Sequence, residues 1–266
     1  MMDNGSLATL KPADPTEGPD FVTALARGLT VIRAFGPDRP HMTLADIAKR
    51  VTLPRATVRR SLITLETLGY VESDGRNFAL SPKVLSLGNS YLTSSPFPRS
   101  IQPMLERLAV SIGESCWAAI LDDDDVLLVA GAKSNRMLSA GLRVGSRLPA
   151  FCSAFGRVML AGLPDEEIDA YFARHIPRMQ TSRTVIDPAA NKRSILEARA
   201  NGYAIADGEV ELGLCSLAVP IINMHGQTVA AVNTTAPSSR VRSSDMIERF
   251  LAPLRQVADD IRPVLA

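Results

Sequence analysis

The stretch from Thr43 to Leu80 constrains the fold more than any other part of the chain, because its punctuation fixes where each element starts and stops. TLADIAKRV opens on Thr43, a helix N-cap type, and sets Leu44, Ile47, Ala48 and Val51 on one helical stripe. Thr52-Leu53 turns the chain. PRATVRRSLITLETLG then reads as a second helix, with Pro54 suited to the first helical position and Gly69 to the residue just past the end. Val58, Leu62, Leu65 and Leu68 share one face of that helix. YVESDGRNFALSP follows as a hairpin, with Tyr70-Val71 and Phe78–Leu80 flanking the tight-turn pair Asp74-Gly75.

Upstream, Phe21–Phe35 reads as a helix from the spacing of Val22, Leu25, Leu29 and Ile32, ended by Pro37 and Pro40. Helix, helix, turn, helix and hairpin in so few residues is the pattern of a winged helix-turn-helix. Charge agrees with it. Residues 21–90 carry ten Lys/Arg and five Asp/Glu, whereas the rest of the chain from residue 91 holds 18 and 19. A small basic module joined to a near-neutral larger one is the layout expected when only the first part meets a polyanion. Arg55 sits in the first turn of the third helix, where such helices meet base edges. Ala56 and Arg60 lie opposite the apolar face, with Arg59 on its flank. Thr57 offers a hydroxyl, and Arg76 stands at the wing tip. Cations at a helix N-terminus oppose its dipole, a cost that guanine or phosphate would offset by accepting the guanidiniums. The alternative is a face that merely stays in water.

Ser81-Pro82 starts a further helix, whose Val84, Leu85, Leu87, Tyr91 and Leu92 are too many apolar groups for so small a module to bury. It reads as a linker helix available for dimer contact, with TSSPFPRS (93–100) as hinge. Beyond it, 101–112 is amphipathic. Cys116–Leu121 and Val126–Ala130 read as paired strands across an acidic turn, and Leu138–Val144 as another strand candidate. Helices are expected at about 153–162, 165–175 and 188–201, then strands Ser216–Ile222 and Thr228–Thr235, then a closing helix. The fold class is α+β, an antiparallel sheet covered by helices. The expected organisation is a disordered lead-in over 1–20, a winged helix-turn-helix over 21–81, a linker helix and hinge over 82–100, and a second domain over 101–266.

Several functions are excluded by what the chain lacks. It has no apolar run of the roughly 18 residues a membrane span needs, and its first 20 residues do not read as a secretion signal, so a cytoplasmic protein is expected. Cys116, Cys152 and Cys215 are three and far apart, and the three histidines have no metal-ligand spacing. No disulfide framework, metal or cofactor is expected.

RGLTVIRAF, TLADIAKR, PRATVRRSLITLETLGYV and FALSPKVLSLG resemble the DNA-binding half of IclR-family regulators. LPAFCSAFGRVMLA, ANGYAIADGE, GLCSLAVPI and AAVNTTAP resemble the signature segments of that family's effector domain, and the likeness runs over about residues 20–265. Within the family the chain is most similar to the branch controlling breakdown of aromatic acids. The resemblance implies a GAF-like effector domain with a six-stranded sheet, a homodimer or homotetramer, a double-stranded DNA operator, and a small organic acid as effector. It also implies a pocket lined by Ala154 and Phe155, Ala206 and Asp207, Ser216, and Asn233 and Thr235. The residue types suit such a site. Polar groups in apolar strands need partners, which a polar ligand supplies, and Phe151 or Phe155 could stack on an aromatic ring. Some acid-sensing relatives have an acid where Ala206 stands, a cysteine where Ser216 stands and a smaller residue than Phe155. Two other readings remain at this point. One is an enzyme with Cys215 or Ser216 as nucleophile and Asp207, Glu209 and Glu211 as acid/base groups, although G-L-C-S-L is not a nucleophile elbow. The other is a DNA-binding protein whose C-terminal domain binds no ligand and only oligomerises.

Overall fold

A computed structural model of the chain describes residues 20–36, 38–134 and 141–265. The expected lead-in lies outside these residues except for Asp20, as do Pro37 and residues 138–140 of one strand candidate. Contacts divide the chain into two compact units, the first ending at Tyr91 and the second beginning at Leu92.

In the first unit, α1 (Thr23–Arg33), β1 (His41–Thr43), α2 (Leu44–Val51), α3 (Arg55–Thr67), β2 (Val71–Ser73) and β3 (Asn77–Leu80) enclose one apolar core. The start of α2 is fixed as its sequence demands. Thr43 Oγ1 accepts from the Asp46 N–H, while the Asp46 carboxylate accepts from the Thr43 N–H, a reciprocal capping box. Helix α3 ends in a Schellman motif, with the Tyr70 N–H on the Leu65 carbonyl at 2.8 Å and the Gly69 N–H on that of Glu66 at 2.9 Å. Gly69 takes φ +80°, a region where a side chain would be strained. Two details differ from expectation. Pro54 is the N-cap of α3, not its first residue, because its carbonyl already receives the Val58 N–H while its own ψ stays extended at 139°. The wing has a third strand, β1, pairing with β3 in the order β1-β3-β2.

Between α2 and α3, Thr52 is held at φ 53°, ψ 40°, the left-handed region, where a branched Cβ crowds its own backbone. Thr52 is exposed, and asparagine tolerates this conformation better. Thr52→Asn is therefore expected to raise the unfolding free energy of this unit by about 0.5–1 kcal/mol, read from a denaturant midpoint. An unchanged or lower midpoint would show that the turn is not strained.

After a 3₁₀ turn at Pro82–Val84 come α4 (Leu85–Ser94) and α5 (Pro96–Ile112). The stretch expected as a hinge, 93–100, is mostly helical. Ser95 alone separates the two helices, and Pro96 and Pro98 fall in the first turn of α5, where a helix needs no N–H from them. The second unit then builds β4 (Ser115–Asp122), β5 (Asp125–Ala132), β6 (Arg147–Pro149), α6 (Ala154–Leu160), α7 (Asp165–Arg174), α8 (Pro188–Asn201), β7 (Ala204–Asp207), β8 (Leu214–Ile222), β9 (Thr228–Pro237) and α9 (Ser243–Ile261). The strands form one antiparallel sheet in the order β6-β5-β4-β9-β8-β7. Helices α5 and α9 bury one face of it, and α6, α7 and α8 bury the other. Residues 141–144 of the strand expected at Leu138–Val144 are irregular, and the edge strand falls at Arg147–Pro149 instead. There the Arg147 guanidinium pairs with Asp122 and Asp125 from the acidic turn, across the β5–β6 pairing of Asp125 with Pro149 and Leu127 with Arg147. No described helix is long and apolar enough to cross a membrane.

Candidate functional site

The sheet's pleat decides which side chains meet. Ala206, Ser216 and Thr235 are directly opposite one another across β7, β8 and β9, so they form a row on the face covered by α6. Asn233 lies two residues before Thr235 on the same face. Above this row begins α6, with Ser153 as N-cap accepting from the Gly156 N–H at 3.1 Å. Gly156 admits no side chain, since a Cβ there would stand 2.0 Å from the Ala150 carbonyl oxygen. That close approach seats the first turn of α6, Ala154 and Phe155, over the strands.

The space between them is a cavity of about 150 Å³. Ala154, Phe155, Ala206, Ser216, Asn233 and Thr235 all line it, together with Leu142, Leu148, Ser153, Val210, Leu214 and two acids, Glu209 and Glu211. Its polar floor is a chain of hydrogen bonds. Ser216 Oγ lies 2.9 Å from Thr235 Oγ1, and Asn233 Nδ2 donates to Thr235 Oγ1 at 3.4 Å. Asn233 is only 3% exposed, and its Oδ1 has no hydrogen-bond partner among the described residues. A buried acceptor left without a donor costs about 1–3 kcal/mol, a penalty that a ligand with an O–H or N–H would remove.

Asp207 does not join this cavity. It follows Ala206 by one residue, so the strand's alternation turns it to the α9 face. There it accepts from Ser238 Oγ and Ser243 Oγ at 3.1 and 2.9 Å, and Arg183 Nη1 lies 3.2 Å away. Phe151 also stays outside, packed against the ring of His175. The cavity wall carries a feature the sequence did not disclose. Glu209 and Arg157 form a buried two-point ion pair, with Nη1–Oε1 at 2.6 Å and Nη2–Oε2 at 2.8 Å. Arg157 Nη1 also donates to the Ile205 carbonyl. The backbone of Glu209 is held by Thr184 Oγ1, which donates to its carbonyl at 2.7 Å. A basic residue one turn into α6 and an acid just after β7 were the only signals of that pair. Cys215 lies on the α9 face, away from the cavity, with its thiol pushed up by burial, which disfavours the thiolate form.

In the first unit, Arg55, Ala56, Arg59 and Arg60 are exposed on α3, with Val58, Leu62 and Leu65 buried behind them. Every arginine–carboxylate pair among the described residues lies in the second unit, so these guanidiniums and that of Arg76 carry no acidic partner among the described residues. Thr57 is half-buried and turns with Ser61 into a groove between α1 and α3, away from the Arg59 side. At the wing tip, Asp74 Oδ1 accepts from the N–H groups of Arg76 and Asn77 at 2.8 and 2.7 Å. Those donors, led by Asn77, pull the Asp74 carboxyl down to about 2. The turn that presents Arg76 is thereby ordered.

Comparison with known proteins covers both units. The helix-turn-helix model of the IclR type matches residues 24–75, and the model of the C-terminal part of IclR bacterial transcriptional regulators matches residues 89–262. The Pca regulon regulatory protein of Pseudomonas putida is 44% identical over 247 residues, spanning 92% of this chain and 85% of that protein. A transcriptional regulator of Rhodococcus sp. RHA1 superposes with a TM-score of 0.80 at 43% identity, covering 92% of this chain and 98% of that one. An IclR homologue from Microbacterium hydrocarbonoxydans, crystallised with 4-hydroxybenzoate, gives a TM-score of 0.74 at 28% identity and covers 91% and 98%. With a helix-turn-helix model over residues 24–75, an effector-part model over residues 89–262 and a 44% identical regulator covering most of its length, the chain belongs to the IclR family of DNA-binding transcriptional regulators.

Proposed function

We propose that this regulator responds to a single-ring aromatic carboxylic acid held in the cavity beneath α6. The observation that carries this reading is the cavity itself. At about 150 Å³ it matches the size of an apolar cavity that binds benzene, and it adds the Ser216–Thr235–Asn233 floor with an unmet acceptor. Phe155 and the leucines suit a ring, and the hydroxyls and the Asn233 amide suit polar substituents. The P. putida relative's name and the 4-hydroxybenzoate in the Microbacterium structure support the same class. In this reading the effector unit serves as a sensor and not as a catalyst, and the protein works in the cytoplasm.

The working form is a homodimer or homotetramer on a double-stranded operator. Leu85, Leu87 and Tyr91 on α4, with Val22 just before α1 and Leu25 and Leu29 on it, are large apolar side chains left exposed on the first unit, the kind of surface that marks a protein contact. A second copy covers it. Residues 21–81 then act as the reading head, 82–95 as the linker, and the remainder as the sensor. Effector binding shifts how the two heads are spaced.

The test uses the purified full chain with 4-hydroxybenzoate. The effector unit should gain RT ln(1 + [L]/Kd), about 2.7 kcal/mol at one hundred times Kd, seen as a rise in melting temperature. Ser216→Leu combined with Asn233→Leu should abolish that rise while retention of promoter DNA persists. A double variant that still responds shows that the effector sits elsewhere. No response of the wild type to any single-ring acid favours a unit that only oligomerises.

A further inference from the structure

In homeodomains the base-reading side chains of the recognition helix are separated by three, one and three residues. On α3 the same spacing falls on Ala56, Arg59, Arg60 and Ile63. The last of these is anomalous for a water-facing position. Ile63 is 47% exposed, stands outside the core of the first unit, and does not line the apolar groove between α1 and α3 that takes Leu65 and Leu68. It is seven residues, two helical turns, beyond Ala56, and it lies on the arginine face. An aliphatic group flanked by unpaired guanidiniums is complementary to one surface. The duplex major groove is anionic at its rim, and its apolar group is the 5-methyl of thymine.

The geometry points to Ile63 as a specificity-determining residue that packs on a thymine 5-methyl in each operator half-site. Arg59 and Arg60, beside it, take acceptors on the neighbouring bases or phosphates. The occupant of this apolar spot is therefore DNA and not a second protein. A protein partner would have to neutralise Arg55, Arg59 and Arg60, whereas a duplex does so by its backbone. The inference rests on α3 being the reading helix.

The experiment selects a tight-binding duplex from a random pool with the full-length protein. Each thymine is then replaced in turn by uracil, which lacks only the methyl. For the wild type, one replacement in each half-site should weaken binding about fourfold, the factor that one buried methyl contributes. Ile63→Ala should weaken the thymine duplex by a similar or larger factor and bind the thymine and uracil forms equally. Ile63→Val should keep most of the discrimination. The salt dependence should be the same for all three proteins, because no phosphate contact changes. Equal wild-type affinity for every uracil duplex, or full discrimination retained by Ile63→Ala, overturns the proposal. Failure of the wild type to retain any duplex at low salt would instead sink the reading helix itself, and this inference with it.

Discussion

Glu209→Ala is expected to lower the unfolding free energy of the second unit by about 3–5 kcal/mol, because it strands the Arg157 guanidinium in a dry wall. The Arg157 and Glu209 side chains are 6% and 10% exposed, so solvent does little to screen the change. Arg157→Met should cost a similar amount, since it leaves the carboxylate with only a long contact to the Val185 N–H at 3.4 Å. The informative variant is the pair Arg157→Met with Glu209→Leu. Removing both charges replaces an ion pair by apolar groups of similar volume, which is often neutral or even stabilising. The double variant should therefore be more stable than either single one. Trp117, the chain's one tryptophan, is buried on β4 and reports this transition by fluorescence in denaturant. Additive losses in the double variant would show that the two groups do not act as a pair. Because Glu209 also lines the cavity, effector binding should weaken in every variant that removes it.

The second large effect is on DNA. Arg55→Ala together with Arg59→Ala should reduce operator affinity by about 2–6 kcal/mol, taking about 1–3 kcal/mol for each good arginine contact to a base. Both side chains are exposed and unpaired with any carboxylate among the described residues, so their loss leaves no buried group stranded. Folding and the effector's thermal shift should be preserved. Affinity is measured by fluorescence anisotropy at several salt concentrations. A shallower salt slope would place the lost contacts on phosphates, and an unchanged slope with relaxed base preference would place them on base edges. Unchanged affinity in the double variant would mean that α3 is not the reading helix.

The two sites were not equally legible. Whatever depends on a few consecutive residues could be read directly. Thr43 with Asp46 specifies a helix start, Gly69 a helix end, and Asp74-Gly75 a wing turn, because capping and turn chemistry act over three or four residues. The span of α8, from Asp187-Pro188 to Gly202, follows from the same kind of signal. The pocket's location was visible only through resemblance, and one of its expected members, Asp207, proved to face the other way. One residue along a strand reverses a side chain's direction, and the pairing of β7 with β8 sets which of Ala206 and Asp207 meets α6.

The sequence by itself determined much of the local structure: the starts and ends of α2, α3 and α8 to within a residue, which stripe of α3 is apolar, and where the basic charge gathers. Only the tertiary structure decided which strands close the edges of the sheet, that Arg157 finds Glu209 across 52 residues, and that Ser216, Thr235 and Asn233 share a floor. The physical reason is range. Caps, turns and amphipathic stripes are settled by neighbours along the chain, whereas register, burial and ion pairing are settled by segments that come together only when the sheet closes.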